Sequence, residues 1–145
     1  MDQSLLQRIV VPVANRKDAA ATAAALASQV EGMDCAVIAV HVIERNPGTV
    51  DKASPEHRKQ NAAEIFRVVE TALKETGISV ESDLRYGRDI AGSVIEAAHE
   101  NNATGIVFTP RGASRWEKLL TGDVTHKLVE NSDIPVVVLP DNEDG

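Results

Sequence analysis

Runs of two different periodicities alternate along this chain from end to end, and that alternation leaves few folds open to it. Arg8 to Ala14 (RIVVPVA), Asp34 to Ile43 (DCAVIAVHVI), Gly105 to Thr109 and Pro135 to Leu139 (PVVVL) are short apolar runs that read as strands, and Ile78 to Tyr86 reads as a strand by its alternation of apolar and charged residues. Segments of helical character lie between them. Asp18 to Glu31 is Ala-rich and stops at Gly32. Ser54-Pro55-Glu56 supplies an N-cap, a first-turn proline and an acid; the helix it opens runs to Thr76, with a stripe at Ala62, Ile65, Val69 and Leu73, and Gly77 stops it. Arg88 to Asn101 turns Ile90, Val94 and Ala97 or Ala98 inward, and Asp123 to Asn131 is the fourth helix. Strand and helix in strict alternation mean an α/β domain built on a parallel sheet with right-handed crossovers.

The strands differ in kind. The second has no alternation, as expected where both faces are covered. In the third, Ile78, Val80, Leu84 and Tyr86 face one way and Ser79, Glu81, Asp83 and Arg85 the other, which marks a sheet edge. With that strand outermost, a doubly wound five-stranded sheet of order 3-2-1-4-5 follows. Its reversal falls between the first and fourth strands, and ligands of such sheets bind beyond the carboxyl ends of the strands at that point. The loops that meet there follow Ala14 and Thr109.

Of 145 residues, 43% are hydrophobic but only 3% aromatic, so the core is built from Ala, Val, Ile and Leu. The length suits one domain, residues 1–140, with an acidic tail, 141–145, read as disordered. The net charge of −7 argues against nucleic acid and anionic membranes as partners. Cys35 is the only cysteine and reads as a small buried hydrophobe. No signal-peptide pattern opens the chain, and no apolar run approaches the ~20 residues of a membrane span. The expectation is a cytoplasmic protein without membrane insertion.

The stretch that carries chemistry is Thr109-Pro110-Arg111-Gly112, followed by Gly122-Asp123 at the start of the fourth helix. A loop that leaves a strand, turns on glycines and ends at a helix N-terminus holds anions through free N–H groups and the helix dipole. Here a carboxylate, Asp123, stands where a phosphate would meet a hydroxyl or a bare amide.

Taken together, IVVPVAN, the second strand ending His41-Val42, Gly87-Arg88-Asp89-Ile90-Ala91, the glycine loop and Asp133-Ile134-Pro135-Val136-Val137-Val138 resemble the universal stress protein family, over essentially the whole chain. The resemblance implies an adenine-nucleotide alpha-hydrolase-like sandwich and a crevice for ATP or AMP. The family's ATP-binding members look like G-x2-G-x9-G-(S/T) in the fourth-strand loop and carry an acid just after the first strand. Carried over by position, Pro12, Val13, Ala14 and Val42 would form the nucleoside end, with Val13 and Val42 lining an adenine slot. Thr109, Arg111, Gly112, Gly122, Asp123 and Val124 would form the phosphate end. The chain departs from the pattern three times: Thr109 replaces the first glycine, Asp123 the Ser or Thr, and Ala14 the acid.

Electrostatics sets the weight of the second departure. At ~4 Å and an effective dielectric near 20, one like-charge contact costs about 4 kcal/mol. A micromolar ligand has only about 8 kcal/mol in all. Ionised Asp123 would therefore remove most of the affinity for a polyphosphate unless Arg111, Arg115 or Lys118 compensates. Asp123 can also cap its own helix, which is the favoured reading.

Other signals point elsewhere or nowhere. Gly87-x4-Gly92-Ser93 lacks the lysine of a P-loop and reads as a strand-to-helix turn. His41, His57, His99 and His126 show no metal-ligand spacing; His57 and His99 fall on solvent faces, and His41 reads as a packing residue. Trp116 packs on Leu119 or Leu120 or anchors a protein partner through its loop. The apolar last strand lies at the second edge, where the resemblance implies a homodimer through Pro135, Val136, Val137 and Val138. The expected function is a homodimeric stress-response module that binds rather than turns over, with a degenerate crevice for adenine nucleotide or anion. The alternatives are slow nucleotide hydrolysis, with Asp123 and Thr121 or Thr109 as its machinery, and a ligand-free partner module of a transporter.

Overall fold

The computed structural model describes residues 6–44, 55–108 and 123–139, apart from the side chains of residues 108 and 123–126. Its elements run β1 (Arg8–Pro12), α1 (Arg16–Val30), β2 (Ala36–Glu44), α2 (Pro55–Leu73) with a 3-10 turn at Lys74–Thr76, β3 (Ser79–Gly87), α3 (Ile90–Glu100), β4 (Gly105–Phe108), α4 (Asp123–Asn131) and β5 (Val136–Val138). The five strands form one parallel sheet of order β3-β2-β1-β4-β5, as the alternation requires.

Two apolar cores lie on the two faces. Ile9, Val11 and Val13 join Val37 and Ala39 against α1 and α2, through Leu26, Ile65 and Val69. Val10 and Ala14 join Ile38, Val40 and Val42 against α3 and α4, through Val94, Ala97 and Leu128. The period-2 pleat of β1 and β2 explains this division, because successive side chains enter opposite cores. Each fully buried Val, Ile or Leu contributes about 1.5–3 kcal/mol, and the small alanines of α1 and α3 let the helices lie close to the sheet.

Helix boundaries follow local chemistry. Asn15 caps α1 and accepts the N–H of Asp18, so the helix starts at Arg16, earlier than the expected Asp18. Gly32 and Gly77 hold φ of +80° and +78°, a region closed to most side chains, and stop α1 and α2 where expected. α4 spans the expected residues, and β3 lies at the edge. The expected N-cap Ser54 and the tail 141–145 fall outside the described residues.

β1 was expected to continue to Ala14 but ends at Pro12. Beyond it the Val13 N–H still reaches the Val40 carbonyl at 2.9 Å, whereas the Ala14 N–H turns to a side chain. Among the described residues, β1 is paired to β2 through Pro12 but to β4 at Ile9↔Gly105 and Val10↔Ile106 alone.

Candidate functional site

The opening between β1 and β4 lies where the chain winding reverses, with α1 leaving toward one face and α4 lying on the other. Its described wall is the segment that links β1 to α1. Three backbone groups of that segment are already engaged: the Val13 N–H with Val40, the Val13 carbonyl with His41, and the Ala14 N–H with Asp18.

His41, 7% exposed, places Nδ1 at 2.8 Å from the Val13 carbonyl oxygen. A carbonyl only accepts, so Nδ1 carries the proton. The histidine is a packing residue, as its position in β2 suggested.

Asp18 was not singled out in the sequence. It is 2% exposed at the third residue of α1. Its Oδ2 accepts the Ala14 N–H at 2.8 Å, and its Oδ1 accepts the Thr22 hydroxyl at 3.4 Å. Its own N–H donates to Asn15 Oδ1 at 2.8 Å. The result is a capping box displaced by one residue, since the acid returns to the residue before the cap. The signal was present as Asn15-x-x-Asp18. Burial pushes the Asp18 carboxyl up to about 6, against the opposing pull of the Ala14 and Thr22 bonds.

The other candidate residues divide into those the structure places and those it does not describe. Pro12, Val13, Ala14 and Val42 all sit at the carboxyl ends of β1 and β2 and are buried. Val13 and Val42 enter opposite cores, so their side chains do not face each other. Asp123 and Val124 begin α4, and their side chains are outside the description. Thr109, Arg111, Gly112, Trp116, Thr121 and Gly122 lie outside the described residues.

The turn from β3 into α3 behaves as a turn. A Cβ on Gly87 would sit 2.5 Å from Ser93 Oγ, so a larger residue there would make the Ser93 hydroxyl turn away. Asp89, at the N-cap, packs its carboxylate against Gly92. His57 and His99 are exposed, and His99 Nε2 meets Asp133 Oδ1 at 2.7 Å. No cluster of metal-ligating side chains occurs among the described residues.

Two further surfaces lie away from the crevice. A cleft of about 520 Å³ at the opposite end of the sheet is bordered by Arg8, Asp34, Cys35 and Asn102. Burial, with Asp34 beside it, pushes the Cys35 thiol up to about 11, so it is an inert buried group, as expected. A shallow groove of about 380 Å³ runs beside β5, between Val129, Ile134, Pro135 and Val136. Val129 is 62% exposed and Val138 52%. Among the described residues, no helix is long and apolar enough to cross a membrane.

Comparison with known proteins agrees with this geometry. The sequence model of the Universal stress protein family matches residues 6–140. A universal stress protein of Methanocaldococcus jannaschii is 26% identical over 145 residues, covering 94% of this chain and 84% of that protein. A universal stress protein of Archaeoglobus fulgidus, solved in complex with dAMP, superposes with a TM-score of 0.64 at 19% identity, over 92% of this chain and 97% of that one. Another universal stress protein, solved in complex with cAMP, gives 0.65 at 19% identity, over 92% and 96%.

Proposed function

Because this chain belongs to the universal stress protein family, we propose that it works as a homodimeric stress-response module that binds a ligand at the β1–β4 opening and does not turn it over. The ligand is an adenine nucleotide of low charge, such as AMP, or a smaller anion. The observation that carries this reading is the early parting of β1 from β4, which leaves a wall at Val13 and Ala14 at the point where such sheets bind ligands. Relatives of the same fold are crystallised with dAMP and cAMP, both monophosphates.

The site is degenerate in this reading. Ala14 brings no carboxylate to the nucleoside, and Asp123 opens α4 at the phosphate end. Val13 and Val42, buried in separate cores, do not face each other across an adenine slot. Arg111, Gly112 and Gly122 would complete the phosphate end, and the loop of Trp116 would meet a protein partner.

A thermal-shift series with ATP, ADP and AMP on the wild type and on Asp123→Ser tests the proposal. AMP stabilises the wild type more than ATP does, and Asp123→Ser gains most with ATP. A ligand at a hundred times its Kd contributes about 2.7 kcal/mol, an effect well within reach of the method. Equal responses of the two proteins to ATP would refute the repulsion at Asp123. Nucleotide turnover by the wild type that Asp123→Ala abolishes would establish the enzyme instead.

A second copy of the chain docks on β5 in the same proposal. Among the described residues β5 pairs with β4 alone, and Pro135, Val138 and Val129 are exposed. An apolar edge of this kind is completed by pairing.

A further inference from the structure

The segment that walls the crevice is held by two buried titratable side chains from different elements, which helix capping alone does not require. His41 of β2 holds the Val13 carbonyl at 2.8 Å, and Asp18 of α1 holds the Ala14 N–H at 2.8 Å. A capping acid in the first turn normally acts from the surface, where water keeps it charged at no cost. Asp18 is withdrawn from water and has one N–H at 2.8 Å and one hydroxyl at 3.4 Å as its donors. Burial outweighs both, which is why the carboxyl titrates at about 6. A buried, perturbed group beside an opening in the sheet has the placement of a functional residue.

We propose that Asp18 is a positioning residue for the ligand of this crevice: together with His41 it fixes the Val13–Ala14 wall, and by taking up a proton as the crevice fills it makes occupancy rise as pH falls. The proposal rests on the reading of the opening as an adenine-nucleotide site. A ligand laid over the wall replaces the water beyond it with matter of lower dielectric, which favours the neutral carboxyl even though Asp18 itself does not touch that water. The complex then holds a proton more tightly than the free protein does. Linkage turns that difference into tighter binding in acid, by at most about tenfold for each unit by which binding raises the carboxyl.

The charges around Asp18 do not account for its behaviour. On α1, Arg16 pairs with Glu64 of α2 at 2.8 Å, and Lys17 is exposed. β1 carries one charge, Arg8, at its other end; β2 carries His41 and exposed Glu44. His41 keeps an Nδ1 proton on the Val13 carbonyl whether the ring is neutral or charged, so that bond does not depend on the charge of the ring. The proton that matters is the one on Asp18.

Adenosine is the probe, since it has no phosphate to titrate or to meet Asp123. Its Kd is measured by calorimetry on the wild type and on Asp18→Asn, which keeps an acceptor for the Ala14 N–H but cannot ionise. Between about pH 7.5 and about pH 5.5 the wild type binds roughly three- to tenfold more tightly, with proton uptake visible as buffer-dependent heat, and Asp18→Asn gives a flat profile. In the ligand-free wild type, the Ala14 amide resonance titrates with a midpoint near the Asp18 value. This second measurement needs no variant and decides the matter even if Asp18→Asn does not fold. Equal slopes for the two proteins, a wild-type Kd that does not change with pH, or an Ala14 amide indifferent to pH overturns the role of Asp18 and leaves the nucleotide reading standing. Absence of adenosine and AMP binding at every pH in both proteins overturns the nucleotide reading, and this proposal with it.

Discussion

β3 and β5 are both edge strands, each paired to one neighbour among the described residues, yet they leave that edge in opposite conditions. β3 is nine residues long and carries its charges into a network with α3. Arg85 grips both carboxylate oxygens of Asp83, at 3.0 and 2.9 Å, and reaches Glu96 at 3.2 Å and Glu100 at 2.7 Å. Asn101 adds a bond to Asp83 at 2.9 Å. β5 is three residues long and wholly valine, with Val138 half in water. A long strand bristling with paired charge discourages a second sheet from adding to it, while a short apolar strand invites one. Among the described residues, therefore, one edge is closed and the other open.

The largest effect expected from breaking this contrast is at the open edge. Val138→Lys places a charge at an exposed position, so the fold tolerates it, but in a two-fold interface the charge occurs twice. We expect the proposed dimer to weaken at least a hundredfold, about 3 kcal/mol, read by sedimentation velocity. A Val138→Lys protein that stays dimeric at micromolar concentration would place the interface elsewhere.

The closed edge responds next, and in a different currency. Arg85 is only 15% exposed at its side chain, and Asp83 19%. The Asp83 bond, opposed by burial and aided by Glu100, holds the guanidinium still more firmly in its charged form. Arg85→Met leaves Asp83 half-buried with Asn101 as its remaining partner in this network, and should cost about 2 kcal/mol in urea unfolding. Its oligomeric state should not change. If Arg85→Met dimerised through β3, the network would be an active guard and not only a brace.

A third variant separates charge that is paired from charge that is merely buried. Arg85 and Asp18 are both shifted upward, but for Arg85 this favours the charged form and for Asp18 it disfavours it. The Asp18 carboxyl stands at about 6 in the fold against 3.8 when free. Below the lower value both states are protonated and the group contributes nothing. As pH rises between the two values the unfolded chain ionises first, so the native state loses stability, and the loss is complete above about 6. Its ceiling is ~3 kcal/mol at ~1.4 kcal/mol per unit. Asp18→Asn, which still needs a partner for its amide protons, should gain about 1–2 kcal/mol near neutrality and nothing near pH 4. A gain that does not depend on pH would trace to packing and not to charge.

What the sequence made legible follows from the range of each interaction. Periodicity located all five strands and the order of the sheet, because burial on one or two faces is written directly into residues such as Val80 and Glu81. Cys35 and His41 read correctly as packing residues for the same reason. Asp18 did not, since an acid in the first turn of an Ala-rich helix looks like an ordinary response to the helix dipole, and its burial exists only once α1 lies against the sheet and α2. Asp83 and Arg85 were legible as the charged face of an edge strand, but their partners Glu96 and Glu100 come from α3, which only the crossover brings over them. β1 stopped short of Ala14 because a side chain four residues on captured its N–H, a contact that no strand pattern records.

The smallest effect tests whether the closed edge is held by the whole network or by its inner pair. Glu96 meets Arg85 at 3.2 Å but is 68% exposed, in contrast to Asp83. Water and salt screen a pair so exposed, and holding a long side chain in place offsets part of the attraction. Glu96→Gln should therefore cost no more than ~0.5 kcal/mol, and that small loss should vanish in about 1 M salt, where the Debye length falls to ~3 Å. Arg85→Met in the same salt should retain most of its penalty, because Asp83 is withdrawn from solvent on the α3 side. If the two variants lost their effects together, the network would be a surface decoration, and the length and polarity of β3 alone would keep that edge closed. A Glu96→Gln loss as large as that of Arg85→Met would mean that the four side chains act as one unit, with the edge braced by their cooperation rather than by the Asp83–Arg85 fork.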